Sequence, residues 1–149
     1  MGNYEEMQAI LSDIESDSTV QQMKKYIQHG KVTTYEHCSS VARLSYDIDK
    51  ALSLHADLNV LLVGAMLHDY YLYDWHNKDG GTHDLHGFIH AKIARDNARK
   101  HFNIDEATGD VIYSHMWPLN IRRIPRSKEA WIVCAADKLV SLHETLLRR

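Results

Sequence analysis

Four groups in this chain set ionisable or ligating side chains in apolar surroundings: His37, the adjacent pair His68-Asp69, and Asp137. The pair closes the apolar run Val60-Leu61-Leu62-Val63-Gly64-Ala65-Met66-Leu67. A carboxylate desolvated beside such a run needs a partner, and a cation is one such partner. His37 precedes Val41, Leu44 and Ile48 by four, seven and eleven residues, so one helix face carries all four. Asp137 follows Val133 and Cys134 by four and three residues. Two imidazoles and two carboxylates converging from three helices form a nitrogen/oxygen donor set suited to divalent cations. His86 and His115 stand at the ends of helices expected near the same face. His83 and His90 compete with His86, whose position just before Gly87 favours it. The chain holds 11 histidines, an excess that points to a metal or acid–base site.

The elements that must position these groups read as helices almost throughout, with little period-two alternation, so the expected class is all-α with six to seven helices. Residues 4–29 carry two helical segments broken at Ser16-Asp17-Ser18, with Gly30 as a stop. Thr33 or Thr34 caps a long helix, and a turn near Ala56-Asp57 leads to a central helix over 58–67. A long aromatic loop spans 70–85, a length that usually signals function. The next helix begins near His86 or Gly87 and runs to Phe102, with Ile89, Ile93 and Ala94 inward. Asp105 caps the following helix, which ends at Met116-Trp117-Pro118. Ser127 starts the last one, whose apolar positions include Trp131, Val133, Cys134, Val140, Leu142 and Leu146. The 149 residues suit a single domain, its core over about 33–149 and residues 1–32 a helical extension packed on it.

Composition narrows the function. A net charge of -3 argues against a nucleic-acid binder. The longest apolar run, about eight residues, falls short of the roughly 20 that span a bilayer. The acidic start lacks a signal-peptide layout, and Cys38 and Cys134 read as buried free thiols, so a reducing cytoplasm is the expected setting. Arg122, Arg123 and Arg126, with Lys78, are candidate phosphate ligands, because guanidinium forks match phosphate oxygens. Trp75, Trp117 and Tyr73 are expected to pack rather than stack on a base.

The order His37, His68-Asp69, Asp137 resembles the HD-domain superfamily of metal-dependent phosphohydrolases. The resemblance rests on Glu36-His37-Cys38-Ser39-Ser40-Val41-Ala42, Ala65-Met66-Leu67-His68-Asp69 and Ala135-Ala136-Asp137-Lys138-Leu139. His86-Gly87-Phe88-Ile89-His90-Ala91 with Ser114-His115-Met116 is similar to a bimetallic branch that includes di-iron diadenosine-tetraphosphate hydrolases. The resemblance implies one cation on His37, His68, Asp69 and Asp137, and a second on His86 and His115 with Asp69 bridging. Iron or manganese would suit these donors best, with zinc, nickel, cobalt or magnesium allowed. It also implies a cation-activated water attacking a phosphomonoester, nucleotide or dinucleotide polyphosphate, with Asp69 and His68 at the catalytic centre. Other members suggest one alternative, a di-iron oxygenase; a non-catalytic metal or nucleotide sensor is a further one. Leu72 stands where some nucleotidase members place a glutamate, so that acid–base role has no counterpart. Neither membrane nor nucleic acid is an expected partner, and a homodimer is an allowed state.

Overall fold

The cap residues lay out the chain. Asp17 accepts from the backbone N–H of Thr19 and Val20, Asp57 from Asn59 and Val60, and Asp105 from Thr108. Thr33 and Glu36 form a reciprocal capping box, each side chain accepting from the other's backbone N–H at 3.1 Å. Each such cap satisfies orphan donors of a first turn and contributes about 1 kcal/mol. In the computed structural model, which describes residues 4–73 and 82–147 (without the side chains of 82–88 and 147), seven α-helices result. They are α1 (Glu5–Ser16), α2 (Ser18–Gln21), α3 (Thr34–Leu52), α4 (Leu58–Leu67), α5 (Thr82–Phe102), α6 (Glu106–Ser114) and α7 (Lys128–Leu147). The all-α class is as expected. No helix among the described residues is long and apolar enough to cross a membrane.

The centre is α4, which buries Val60, Leu61, Leu62, Gly64, Ala65, Met66 and Leu67. A helix apolar on nearly every side can be satisfied only by neighbours on every side. Helices α1, α3, α6 and α7 supply them, with Met7 and Leu11 of α1 entering the same core. Gly64 lets α6 approach closely: a Cβ added there would lie 2.6 Å from Val111 Cγ1 and 3.0 Å from its Cβ. Valine is too stiff to move aside. Gly64→Ala is therefore expected to destabilise the protein by about 1–3 kcal/mol in denaturant melts, despite the better helix propensity of alanine. Adding Val111→Ala should recover part of the loss.

Three expectations need correction. The segment before Gly30 is not a second helix running to His29. After a 3-10 turn at Gln22–Lys25, β1 (Ile27–His29) and β2 (Val32–Thr33) pair antiparallel, with Gly30 between them at φ 58°. β-branched Ile27, Val32 and Thr33 favour the extended state, and glycine tolerates the left-handed turn. Helix α5 begins at Thr82 rather than near His86, and Gly87 does not interrupt the helix. The inward stripe of α5 is His90, Ala91, Ala94 and Ala98, while Ile89 and Ile93 are only partly covered. Likewise Trp131, Leu142 and Leu146 of α7 are exposed, and Ala130, Ile132, Val133, Ala136 and Val140 face the core. On α5 small residues set the close contacts, so a count of bulky ones points to the wrong face; on α7 Val133, Cys134 and Val140 are buried as expected. The expectations for Lys78 and Trp75 lie outside the described residues. Cys38 and Cys134 are buried free thiols, as expected.

Candidate metal centre

Two helix C-termini supply the first histidines by the same device. His68 is the C-cap of α4 and His115 the C-cap of α6. The last carbonyls of a helix lack intrahelical donors. His68 Nδ1 sits 2.6 Å from the Ala65 carbonyl oxygen, and His115 Nδ1 sits 2.7 Å from that of Ile112. Each ring thus donates its Nδ1–H to a carbonyl of the helix's last turn and turns Nε2 inward as a lone pair. His37, on the buried face of α3, is oriented by a carboxylate: its Nδ1 lies 2.7 Å from Glu144 Oε1 of α7. Asp137 is also on α7, two turns earlier, and His90 comes from the alanine-lined face of α5.

These side chains meet at Asp69, which is 2% exposed. Its Oδ2 lies 3.5 Å from His37 Nε2 and 3.2 Å from His68 Nε2. Its Oδ1 lies 3.2 Å from His90 Nε2 and 3.3 Å from His115 Nε2, yet receives no hydrogen bond. Asp137 Oδ1 completes the first side, 2.9 Å from His37 Nε2 and 3.2 Å from His68 Nε2. Two buried groups therefore share one carboxylate: His37, His68, Asp69 and Asp137, and Asp69, His90 and His115. Across each group the nitrogens face one another, at 3.3 Å for His37 and His68 and 3.0 Å for His90 and His115. With Nδ1 fixed as the donor in His37, His68 and His115, the inward nitrogens of these three rings are lone pairs that only a proton or a cation can share. The residues fit divalent cations on that ground.

The electrostatics agree. Burial pushes His37 toward its neutral form, but hydrogen bonds to Asp137 and Glu144 override it and raise its pKa to about 10. His68 is raised well above the usual range against the same burial, with the Asp69 charge the largest opposing cause. Asp69 and Asp137 resist burial and stay well below the usual carboxylate range, chiefly through His68 and His37 respectively. At His115 burial wins, and its pKa is lowered. Two carboxylates held ionised among buried imidazoles make a site that draws positive charge.

The expected residues are distributed as follows. His37, His68, Asp69, His115 and Asp137 converge. His90 occupies the position beside His115 for which His86 was favoured, and the side chains of His83 and His86 lie outside the described residues. Arg122, Arg123 and Arg126 do not reach the cluster; they line a separate recess. Tyr73 packs on Tyr71, and Trp117 meets Trp131 edge-on at 5.1 Å.

Sequence reasoning missed three participants. Glu144 had a signal, since it follows Asp137 by seven residues on one helix. Gln28 had none, because its segment reads as helix. From β1 it donates Nε2–H to Asp69 Oδ2 at 2.9 Å, and its own Oε1 accepts from Tyr71 Oη at 2.6 Å. Lys138 donates to the His115 carbonyl oxygen at 3.0 Å. Glu144→Gln keeps the shape beside His37 but loses the charge that makes its ring a strong donor. It is expected to weaken metal binding by about 10–100-fold while the far-UV dichroism stays unchanged.

The cluster forms the floor of a cavity of about 770 Å³, with Asp69, His90, His115 and Asp137 exposed to it and Met116, Pro118, Leu119 and Leu142 among its walls. That volume is in the range of small-molecule sites, and so is the combination of apolar walls with a few convergent polar groups. Among known protein families, the model described as HD domain matches residues 34–142. No curated protein and no solved structure matches the chain.

Proposed function

The chain belongs to the HD domain family, and from that premise we propose that it is a metal-dependent phosphohydrolase acting on a nucleotide-sized phosphoester or phosphoanhydride. The observation that carries this reading is the division of labour at Asp69, whose two oxygens serve two separate sets of imidazoles. We assign one cation to His37, His68, Asp69 and Asp137 and a second to Asp69, His90 and His115, with iron or manganese the best match to the donors. When bound, such cations would supply Lewis acidity, making a water acidic and offsetting charge on phosphoryl oxygens.

The chain's own groups do the rest. The Nδ1 partners of His37, His68 and His115 hold their rings in one tautomer, so the ligand atoms need no reorganisation. Gln28, itself held by Tyr71, fixes the Asp69 carboxylate plane. The Lys138 ammonium at the cavity edge adds a positive charge near the reacting group. Burial lowers the pKa of His29, so its imidazole is neutral near pH 7 and can hydrogen-bond a substrate oxygen without adding charge. The walls formed by Met116, Pro118, Leu119 and Leu142 suit an apolar or aromatic moiety and keep water away from it.

Elemental analysis of gently purified protein, paired with a panel of phosphomonoesters, nucleotides and dinucleotide polyphosphates, tests this. Two transition-metal ions per chain and metal-dependent release of phosphate or nucleotide are expected. Inactivity of the fully loaded protein across the panel, or turnover that consumes dioxygen and releases no phosphate, would overturn it.

A further inference from the structure

A second recess, of about 170 Å³, shares no lining residue with the metal cavity. Four arginines line it, Arg95, Arg122, Arg123 and Arg126, against one acidic residue, Asp110. This is a local positive excess in a chain whose net charge is -3. Arg95 and Arg123 clasp the ring of Tyr113, each with its guanidinium carbon 3.9 Å from the ring centroid. The clasp orders two planar forks that would otherwise be mobile.

Three of the four forks lack a carboxylate partner. Among the described residues no carboxylate lies within 4.0 Å of Arg122, Arg123 or Arg126, and Arg95 reaches only its neighbour Asp96, at 3.5 Å. Arg123 Nη1 is buried and makes no hydrogen bond, and Arg95 Nε, also buried without one, has only the 3.5 Å approach of Asp96 Oδ1. A buried guanidinium N–H left unpaired is costly, so an arrangement that holds Arg123 Nη1 in place beside three other arginines calls for an acceptor. We propose that this recess is an anion site holding a phosphate-sized dianion, separate from the group bound at the metal centre.

Size and chemistry select the ligand. Small-molecule pockets run to roughly 300–1,000 Å³, so this recess admits a phosphate group but not a whole nucleotide. Several guanidinium forks around one small volume match the oxygens of phosphate, which accepts bidentate pairs from more than one side. The anion is either free phosphate or the terminal phosphate of a larger molecule whose remainder stays in solvent. The site adjoins the metal centre through the chain: Ser114 lines the recess, and the next residue, His115, lines the cavity.

Isothermal titration of the metal-loaded protein tests the proposal, with inorganic phosphate and, separately, a nucleoside monophosphate as probes. Wild type is compared with Arg122→Gln, Arg123→Gln and Arg126→Gln, each also assayed for turnover. The expected result is a binding component that Arg123→Gln weakens by about tenfold or more, that fades with added salt, and whose loss leaves turnover unchanged. Arg122 and Arg126 are exposed, so their variants report even where loss of the Tyr113 clasp harms folding. Arginine-dependent binding of both probes would assign the site to a phosphate carried on a larger molecule. Binding of inorganic phosphate alone would assign it to the free anion. Anion binding indifferent to all three substitutions would overturn the proposal. So would a turnover loss in step with the binding loss, which would return these arginines to the substrate.

Discussion

Asp69→Asn is expected to leave the protein folded, strip at least one of its cations and reduce hydrolysis to background. The substitution preserves volume in a site that is 2% exposed, so packing is not the cause. What changes is the number of anionic oxygens. The carboxylate offers Oδ2 to His37 and His68 and Oδ1 to His90 and His115. An amide offers one oxygen and must turn an NH2 group toward the other pair of imidazoles, where it repels a cation. Gln28 decides which side loses. Its Nε2–H donates to Oδ2, so the asparagine oxygen should settle there and its nitrogen should face His90 and His115. The second group, which has only three members, is then the one to empty. Elemental analysis reads this directly as the loss of one ion per chain. The activity loss should exceed the roughly 10–100-fold typical of removing an outer partner, because the proposed assignment makes Asp69 a shared ligand. A variant retaining its full metal content would remove Asp69 from the bridging role, and with it the basis of the bimetallic reading.

How much of this centre was legible in the sequence depended on the kind of signal each residue left. His37, His68, Asp69 and Asp137 announced themselves because an ionisable group on an apolar face has few innocent explanations. The caps at Thr33 and Asp105 were legible for a similar reason, since a side-chain oxygen just ahead of a helical run is local chemistry. His90 was obscured by phase. On α5 the bulky Ile89 and Ile93 suggested one inward face, while the close approach of helices selected the face of Ala91, Ala94 and Ala98, which carries His90. Gln28 could not be read at all. A strand of three residues leaves no periodicity, and its contact with Asp69 spans 41 positions of sequence. The arginines show the converse. Their chemistry was evident from the cluster, but which of two recesses they line is a property of the fold.

Removing the cations should lower the melting temperature substantially, and the size of the drop discriminates a built site from an incidental cluster. A ligand present at about 1,000 times its dissociation constant stabilises the folded state by about 4 kcal/mol. For a domain of this length each kcal/mol moves the midpoint by roughly 2–4 °C, so chelation should cost about 8–16 °C in a calorimetric scan. Two effects set where in that range the protein falls. Facing ring nitrogens at 3.3 and 3.0 Å lose the charge between them, which deepens the loss. Protons replace part of that charge, since His37 and His68 gain affinity for them in the presence of Asp69, Asp137 and Glu144, which limits it. The second effect has no counterpart at His115, whose buried ring favours the neutral form. The group around His90 and His115 should therefore loosen first, and hydrogen exchange after chelation should rise at the C-terminal turn of α6 before that of α4. Asp69→Asn protein should respond to the chelator much less than wild type, because it has less metal to lose. An unchanged midpoint in wild-type protein shown beforehand to contain metal would mean that its ions sit elsewhere than in this buried cluster.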